Sequence, residues 1–149
     1  MIHIRMMQPQ DLEAVMRLES VTLEAPHWAP LVYQQFLVSE HQQKSICIAE
    51  EGNRLLGFAA AQIIHDVCEL DSIVVDVNVR RFGVGRALLA ALFDWASTRK
   101  AIRVELEVRA GNSSAIEFYL RSDFVRDGHR PSYYHHPDED AVLMSKPLR

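Results

Sequence analysis

The chain has 149 residues, enough for one domain over 1–149 and too short for two comfortable ones. Hydrophobic residues make up 48% and charged residues 24%, the balance of a soluble protein with a core. A formal net charge of −4 excludes a whole-surface basic footprint for nucleic acid, and no apolar run approaches the roughly 20 residues of a membrane span. The two cysteines, Cys47 and Cys68, lie in apolar stretches and are too few for a disulfide framework. The opening Met-Ile-His-Ile-Arg lacks the layout of a signal peptide, so a cytoplasmic location is expected.

Alternation at Ile2, Ile4 and Met6 predicts a short first strand, and Pro9-Gln10-Asp11 starts a helix carrying Leu12, Val15, Met16 and Leu18. A second helix runs through Leu31, Tyr33, Phe36 and Leu37, after the segment Pro26-His27-Trp28-Ala29-Pro30. From Ser45 the period changes. A strand around Ile46 and Ile48, the Gly52-Asn53 turn and a strand from Leu55 to His65 read as a hairpin, followed by a β-branched strand from Leu70 to Val75. The turn from Arg80 to Gly85 leads into a long amphipathic helix through Leu88, Leu92 and Trp95. Val104, Leu106 and Val108 alternate as a strand, and Asn112-Ser113-Ser114 caps a helix through Ile116 and Tyr119. Strands from Phe124 to Asp127 and Ala141 to Ser145 close the chain around a polar, aromatic loop, Pro131 to Asp138. This order predicts a mixed α/β (α+β) domain of about seven strands and four helices, mostly antiparallel, with at least one parallel strand-helix-strand unit.

The segment from Ile73 to Ala87 carries the most chemistry. A strand, Ile73-Val74-Val75, ends; Gly83 and Gly85 then open a helix beside Arg80, Arg81 and Arg86. Free N–H groups at a helix start face outward, so with the arginines this is a pyrophosphate cradle in physical terms; an ordinary strand-to-helix turn is the alternative. The segment has no Gly-Lys-Ser/Thr and no third glycine, which sets aside the two commonest nucleotide loops.

Read whole, Arg80-Arg81-Phe82-Gly83-Val84-Gly85 resembles the acyl-CoA-binding motif of the Gcn5-related N-acetyltransferase (GNAT) superfamily, and the element order is similar to its fold over nearly the whole chain. Leu106-Glu107-Val108-Arg109-Ala110-Gly111-Asn112 with Ala115 and Tyr119 looks like a block of the RimI-type ribosomal-protein-alanine N-acetyltransferases. Tyr133-Tyr134 followed by Glu139-Asp140-Ala141 resembles that subfamily's ending. Three departures stand out: Val77 where the family usually has Pro, Asp123 where it has Gly, and Pro26-His27-Trp28 where the subfamily has Phe-Pro-Trp.

The resemblance implies acetyl transfer from acetyl-CoA to an amine, with the amino-terminal alanine of a small-subunit ribosomal protein as acceptor. No metal, membrane or direct nucleic-acid partner is implied. It makes Glu107 the general base and Tyr119 the general acid, and gives Asn112 a contact to CoA. Glu107 lies opposite the apolar residues of its strand; without the block it reads as a solvent-facing Glu, Tyr119 as a core tyrosine and Asn112 as a cap. The strand Ile73-Val74-Val75 is expected to offer backbone N–H and C=O groups to the pantetheine arm. Glu69 shares a strand face with Asp71 and is the alternative base. Trp28, Tyr133 and Tyr134 are expected to wall the acceptor groove. The pair His135-His136 lacks a third ligand at metal spacing. A GNAT enzyme for a small amine or lysine is the alternative activity, and a non-catalytic acyl-CoA-binding module is the alternative from another class.

Overall fold

The computed structural model describes residues 1–22, 25–37 and 43–148. Its elements are β1 (His3–Met6), α1 (Leu12–Ser20), α2 (Pro30–Leu37), β2 (Lys44–Glu51), β3 (Arg54–Ile64), β4 (Val67–Val75), α3 (Val84–Thr98), β5 (Arg103–Arg109), α4 (Ser113–Arg121), β6 (Val125–Tyr134) and β7 (Glu139–Pro147). They build one seven-stranded sheet in the order β1-β2-β3-β4-β5-β7-β6. Among the described residues every pairing is antiparallel except β4 with β5, which α3 connects as the expected parallel crossover. No described helix is long and apolar enough to cross a membrane.

Alternation along the strands feeds two cores. Ala59, Ala61 and Ile63 of β3 join Val104, Leu106 and Val108 of β5 under Leu88, Leu89 and Leu92 of α3 and Ile116 and Tyr119 of α4. Phe58 and Ala60 face the other way and pack with Ile46, Ile48 and Val74 against Val15 of α1 and Tyr33 of α2. The face covered by α3 and α4 and the face covered by α1 and α2 are thus set by the period of two.

Several boundaries differ from the sequence reading. Pro9–Asp11 form a separate 3-10 turn, because Asp11 is held by Arg5 through two bonds of 2.7 and 2.8 Å, and the α-helix begins at Leu12. β4 starts at Val67, and β7 runs from Glu139. The loop expected from Pro131 to Asp138 is half strand: β6 continues through Tyr134, which pairs with Glu139. β6 is an edge strand exposed along nearly its whole length, so it carries no buried face for alternation to mark, and its edge position accommodates Pro131. Phe124 precedes the strand and is a core residue, 5.5 Å from the Tyr119 ring and 6.0 Å from Phe93.

Two family departures have simple local structures. Asp123 takes the left-handed conformation at φ 71° in the helix-to-strand turn, the position where glycine is usual. Val77 opens a short 3-10 turn, Val77–Val79, whose cap is Asp76, with its Oδ1 accepting from the Asn78 N–H at 2.9 Å.

Candidate active site

The site is built on the one parallel pairing. The β4–β5 ladder joins Val67 to Arg103, Cys68 to Val104 and Glu69 to Glu105. Beyond Glu69, β4 runs on to Val75 along β3, and beyond Glu105, β5 runs on to Arg109 along β7. Among the described residues the two strands therefore part after three pairs, and their facing edges offer backbone donors and acceptors to something other than each other. An amide-rich arm such as pantetheine fits such an opening as a short extra strand. Ile73 and Val75 pack their side chains on the α3/α4 core and Val74 is buried on the other face, so this stretch can present its backbone edge while its side chains hold the strand in place.

The turn from Asp76 to Gly85 closes one end of the opening. Arg80 lies along it, its Nε donating to the Val75 carbonyl at 3.2 Å. Arg81 and Gly83 both have positive φ, 72° and 87°, and this left-handed step aims the first turn of α3 outward. The first bond into the helix is Ala87 N–H to Gly83 O at 3.0 Å, which leaves the amides of Val84, Gly85 and Arg86 as first-turn donors that could face an anion, beside exposed Arg86 and Phe82. Val84 is buried and anchors the helix. Gly85 also has a packing role: a Cβ there would stand 3.0 Å from the Phe118 ring, so this glycine lets α4 pack closely on α3. Asn112 is the N-cap of α4, its Oδ1 accepting from Ala115 N–H at 3.3 Å.

The polar side chains converge on the α1/α2 face of the sheet. Glu107 points away from the α3/α4 core, as its alternation with Leu106 and Val108 requires. The Glu107 carboxylate lies 3.7 Å from Arg130 and accepts a hydrogen bond from Tyr133, which raises the Tyr133 hydroxyl above its ordinary value. Glu69 also acts on Tyr133, and burial followed by the Glu107 charge pushes Tyr134 up to about 12. Glu107, Glu69, Tyr133 and Tyr134 are thus brought together from three strands.

Tyr119 reaches this group from the other side of the sheet. Its ring is 7% exposed and packs against Phe118 and Phe124, while burial and the neighbouring Tyr134 raise its hydroxyl well above the usual phenol range. It is both a core tyrosine and a hydroxyl neighbouring Tyr134.

Trp28 lies on the same α1/α2 face of the sheet, packed against the core under those helices. Its ring stacks on Phe36 at 5.9 Å and lies 5.4 Å from Tyr33, and the Trp28 backbone N–H donates at 3.0 Å to Glu19, a carboxylate only 3% exposed. Its contacts are those of the α1/α2 core. His135 pairs with Asp138 at 3.1 Å in the β6–β7 turn.

Two residues without an assigned role belong to the site. Arg109 donates to the His135 and Pro137 carbonyls at 3.3 and 3.2 Å and to Glu139 at 3.2 Å, and its guanidinium lies 4.5 Å from the Tyr134 ring centroid. Glu139 in turn accepts from Gly111 N–H at 2.6 Å, tying the β6–β7 turn to the start of α4. The matching blocks contain Arg109 and Glu139, but only the register of β5, β7 and β6 shows them as one clamp. The second residue is Asp71, whose Oδ2 accepts from Gln62 Nε2 at 2.9 Å and whose carboxyl is pushed up to about 6 by burial, with Glu69 and Glu107 adding to the rise. Its signal in the sequence was only its spacing from Glu69.

Residues 12–124 match the model of the acetyltransferase (GNAT) family. The chain is 31% identical over 147 residues to the [ribosomal protein bS18]-alanine N-acetyltransferase of Escherichia coli K12, covering 97% of both chains. The crystal structure of the ribosomal-protein-S18-alanine N-acetyltransferase from Escherichia coli superposes with a TM-score of 0.87 at 30% identity, over 99% of this chain and 94% of that one. A Bacillus anthracis structure solved in complex with acetyl coenzyme A shares the fold at a TM-score of 0.84 and 21% identity, over 99% of each chain. On the family match and the 31% identity across 97% of its length, the chain belongs to the acetyltransferase (GNAT) family.

Proposed function

We propose that this chain is a protein N-terminal α-amino acetyltransferase that moves acetyl from acetyl-CoA to the amino-terminal alanine of a small-subunit ribosomal protein. The observation that carries the reading is the relationship to the bS18-alanine N-acetyltransferase of Escherichia coli over 97% of both chains. The geometry agrees in kind: an opening between two strands for an amide-rich arm, helix-start amides for its pyrophosphate, and a face of carboxylates and phenols for a cationic amine.

In this reading acetyl-CoA supplies the activated acetyl group. The edges of Ile73-Val74-Val75 bind the arm, the turn Arg80-Arg81-Phe82-Gly83-Val84-Gly85-Arg86 holds the phosphates, and Asn112 sets the start of α4 beside it. Glu107 takes a proton from the acceptor nitrogen as the N–C bond forms, and Tyr119 gives one to the sulfur as the C–S bond breaks. As a phenol, Tyr119 carries its proton at neutral pH. Tyr133 and Tyr134, with Glu69 behind them, wall the acceptor amine. An α-amino group has an ordinary value near 7.7–8.0, far closer to neutrality than a lysine near 10.4, so moderate bases suffice.

The test is CoA release from acetyl-CoA with Ala-starting peptides, free and N-blocked, beside a panel of small amines. Transfer to the free peptide that disappears on blocking supports the reading. Activity confined to small amines keeps the family and discards the ribosomal acceptor.

A further inference from the structure

We propose that Asp71 is a second proton acceptor of this site, the carboxylate that takes the ammonium proton of the incoming acceptor before acetyl transfer begins. The inference rests on the N-terminal acetyltransferase reading and deepens it.

Below the amine's own value near 7.7–8.0, a second acceptor in the site has a task. An acceptor arrives as R–NH3⁺ and leaves as an amide N–H, so its nitrogen gives up two protons in each turnover. One carboxylate can hold only one of them at a time.

The backbone places Asp71 for the first. β3 pairs Ala61 with Leu70 and Ala60 with Ser72, so Asp71 is the extra residue of a β-bulge. The bulge reverses the alternation of β4: Cys68 and Leu70 face the α3/α4 core before it, Ile73 and Val75 after it. Glu69 and Asp71, and then Val74, consequently face the α1/α2 side, where Glu107 also points. Asp71 stands two residues past Glu69, the last ladder residue of β4, hence just inside the place where β4 and β5 part. Bulges recur next to active sites because they re-aim a side chain, and here the re-aimed side chain is a carboxylate.

The surroundings suit a transient proton. Gln62 of β3 donates to Oδ2 at 2.9 Å and fixes the carboxyl's direction. The charged groups that act on it are Glu69 on its own strand, Lys44 on β2 and Glu107 on β5. Burial is the largest influence and, with the two glutamates, outweighs Gln62 and Lys44, so the carboxyl titrates at about 6 instead of 3.8. Proton transfer from an amine to such a group is about a hundredfold more favourable than to an ordinary aspartate.

The step balances. R–NH3⁺ gives one proton to Asp71, and the neutral nitrogen attacks the thioester carbonyl, forming N–C and breaking C–S. Its second proton passes to Glu107, the departing thiolate takes the Tyr119 proton, and the proton on Glu107 restores Tyr119. Asp71 releases its proton to water, one net proton per transfer.

The experiment compares kcat/KM for an Ala-starting peptide across pH 6.5 to 9 in the wild type, Asp71→Asn, Asp71→Glu and Glu107→Gln. Asp71→Asn is expected to lose about tenfold or more at pH 6.5 and to recover to within about threefold at pH 9, where the amine is neutral unaided. Asp71→Glu, which keeps the carboxylate, is expected to remain within about tenfold at pH 6.5, and Glu107→Gln to stay impaired at both ends. A loss in Asp71→Asn that is equal at pH 6.5 and 9, or no loss at 6.5, overturns the assignment. A wild type that acetylates no peptide at any pH overturns the N-terminal reading itself, which is a different result.

Discussion

Glu69 pairs with Glu105, and at that pair the one parallel ladder among the described residues ends. The two strands carry a carboxylate on one face at the point where they part, so the opening for an acyl carrier and the polar face for an amine begin at the same place. Everything proposed for the site depends on this junction.

Glu107→Gln removes the proton acceptor and Tyr119→Phe the donor, and each is expected to lower turnover at least about tenfold. Acetyl-CoA binding should hardly change, because neither side chain belongs to the strand edge or the turn after β4. Steady-state kinetics with calorimetric binding of acetyl-CoA separates the two effects. Near-normal turnover in both variants would remove the catalytic assignment.

The Arg109 clamp predicts a change in acceptor binding. Arg109→Ala frees the carbonyls of His135 and Pro137, unpairs Glu139 and uncovers the Tyr134 ring. KM for the peptide should rise about tenfold with little change in acetyl-CoA affinity, since the loss of a charge-assisted bond is worth about 1.5–3 kcal/mol. An unchanged peptide KM would mean that the β6–β7 turn does not face the acceptor.

The two glycines after Arg80 should respond differently to alanine. Gly83 has φ 87° and open space around its missing Cβ, so Gly83→Ala costs only backbone strain, about 1–2 kcal/mol. Gly85→Ala presses on Phe118 at 3.0 Å and displaces α4, the helix that carries Tyr119; overpacking of this kind costs about 1–3 kcal/mol. Thermal unfolding measures both costs, and only Gly85→Ala is expected to reduce turnover through the position of Tyr119.

Asp11 and Asp71 titrate in opposite directions on folding. Hydrogen bonds from Arg5 hold Asp11 below its usual value, so its contribution is present near neutral pH and fades as pH falls through the folded value. Asp71 is raised to about 6, so its contribution is full below 3.8 and is lost as pH rises through about 6. Asp71→Asn should therefore stabilise the protein by about 1 kcal/mol at pH 7.5 and by nothing near pH 3.5. Arg5→Ala should destabilise it at pH 7.5 by about 1 kcal/mol, with the difference shrinking in acid. Melting temperatures across this range read both signs.

The strands and helices that bury one face were legible in the sequence, because Val104, Leu106 and Val108, or Leu88, Leu89 and Leu92, repeat with the period of the element they build. Glu107 was legible for the same reason, as the residue left over when its neighbours turn inward. The sequence marks only the start of β6, because an exposed edge strand has no inward face. Asp71 looked like a partner of Glu69 by simple alternation, and its bulge appears only in the register against β3. Arg109 and Glu139 are 30 residues apart and meet only through the strand order β5-β7-β6. Gly85 showed how a motif position can carry a packing reason that its motif does not name.

The most direct measurement is the mass spectrum of the acetylated product, fragmented to locate the acetyl group on a peptide that begins with Ala and contains an internal Lys. Acetyl on the first residue's α-nitrogen and an unmodified lysine are the expected result. Acetyl on the lysine, or a product only from free small amines, would contradict it.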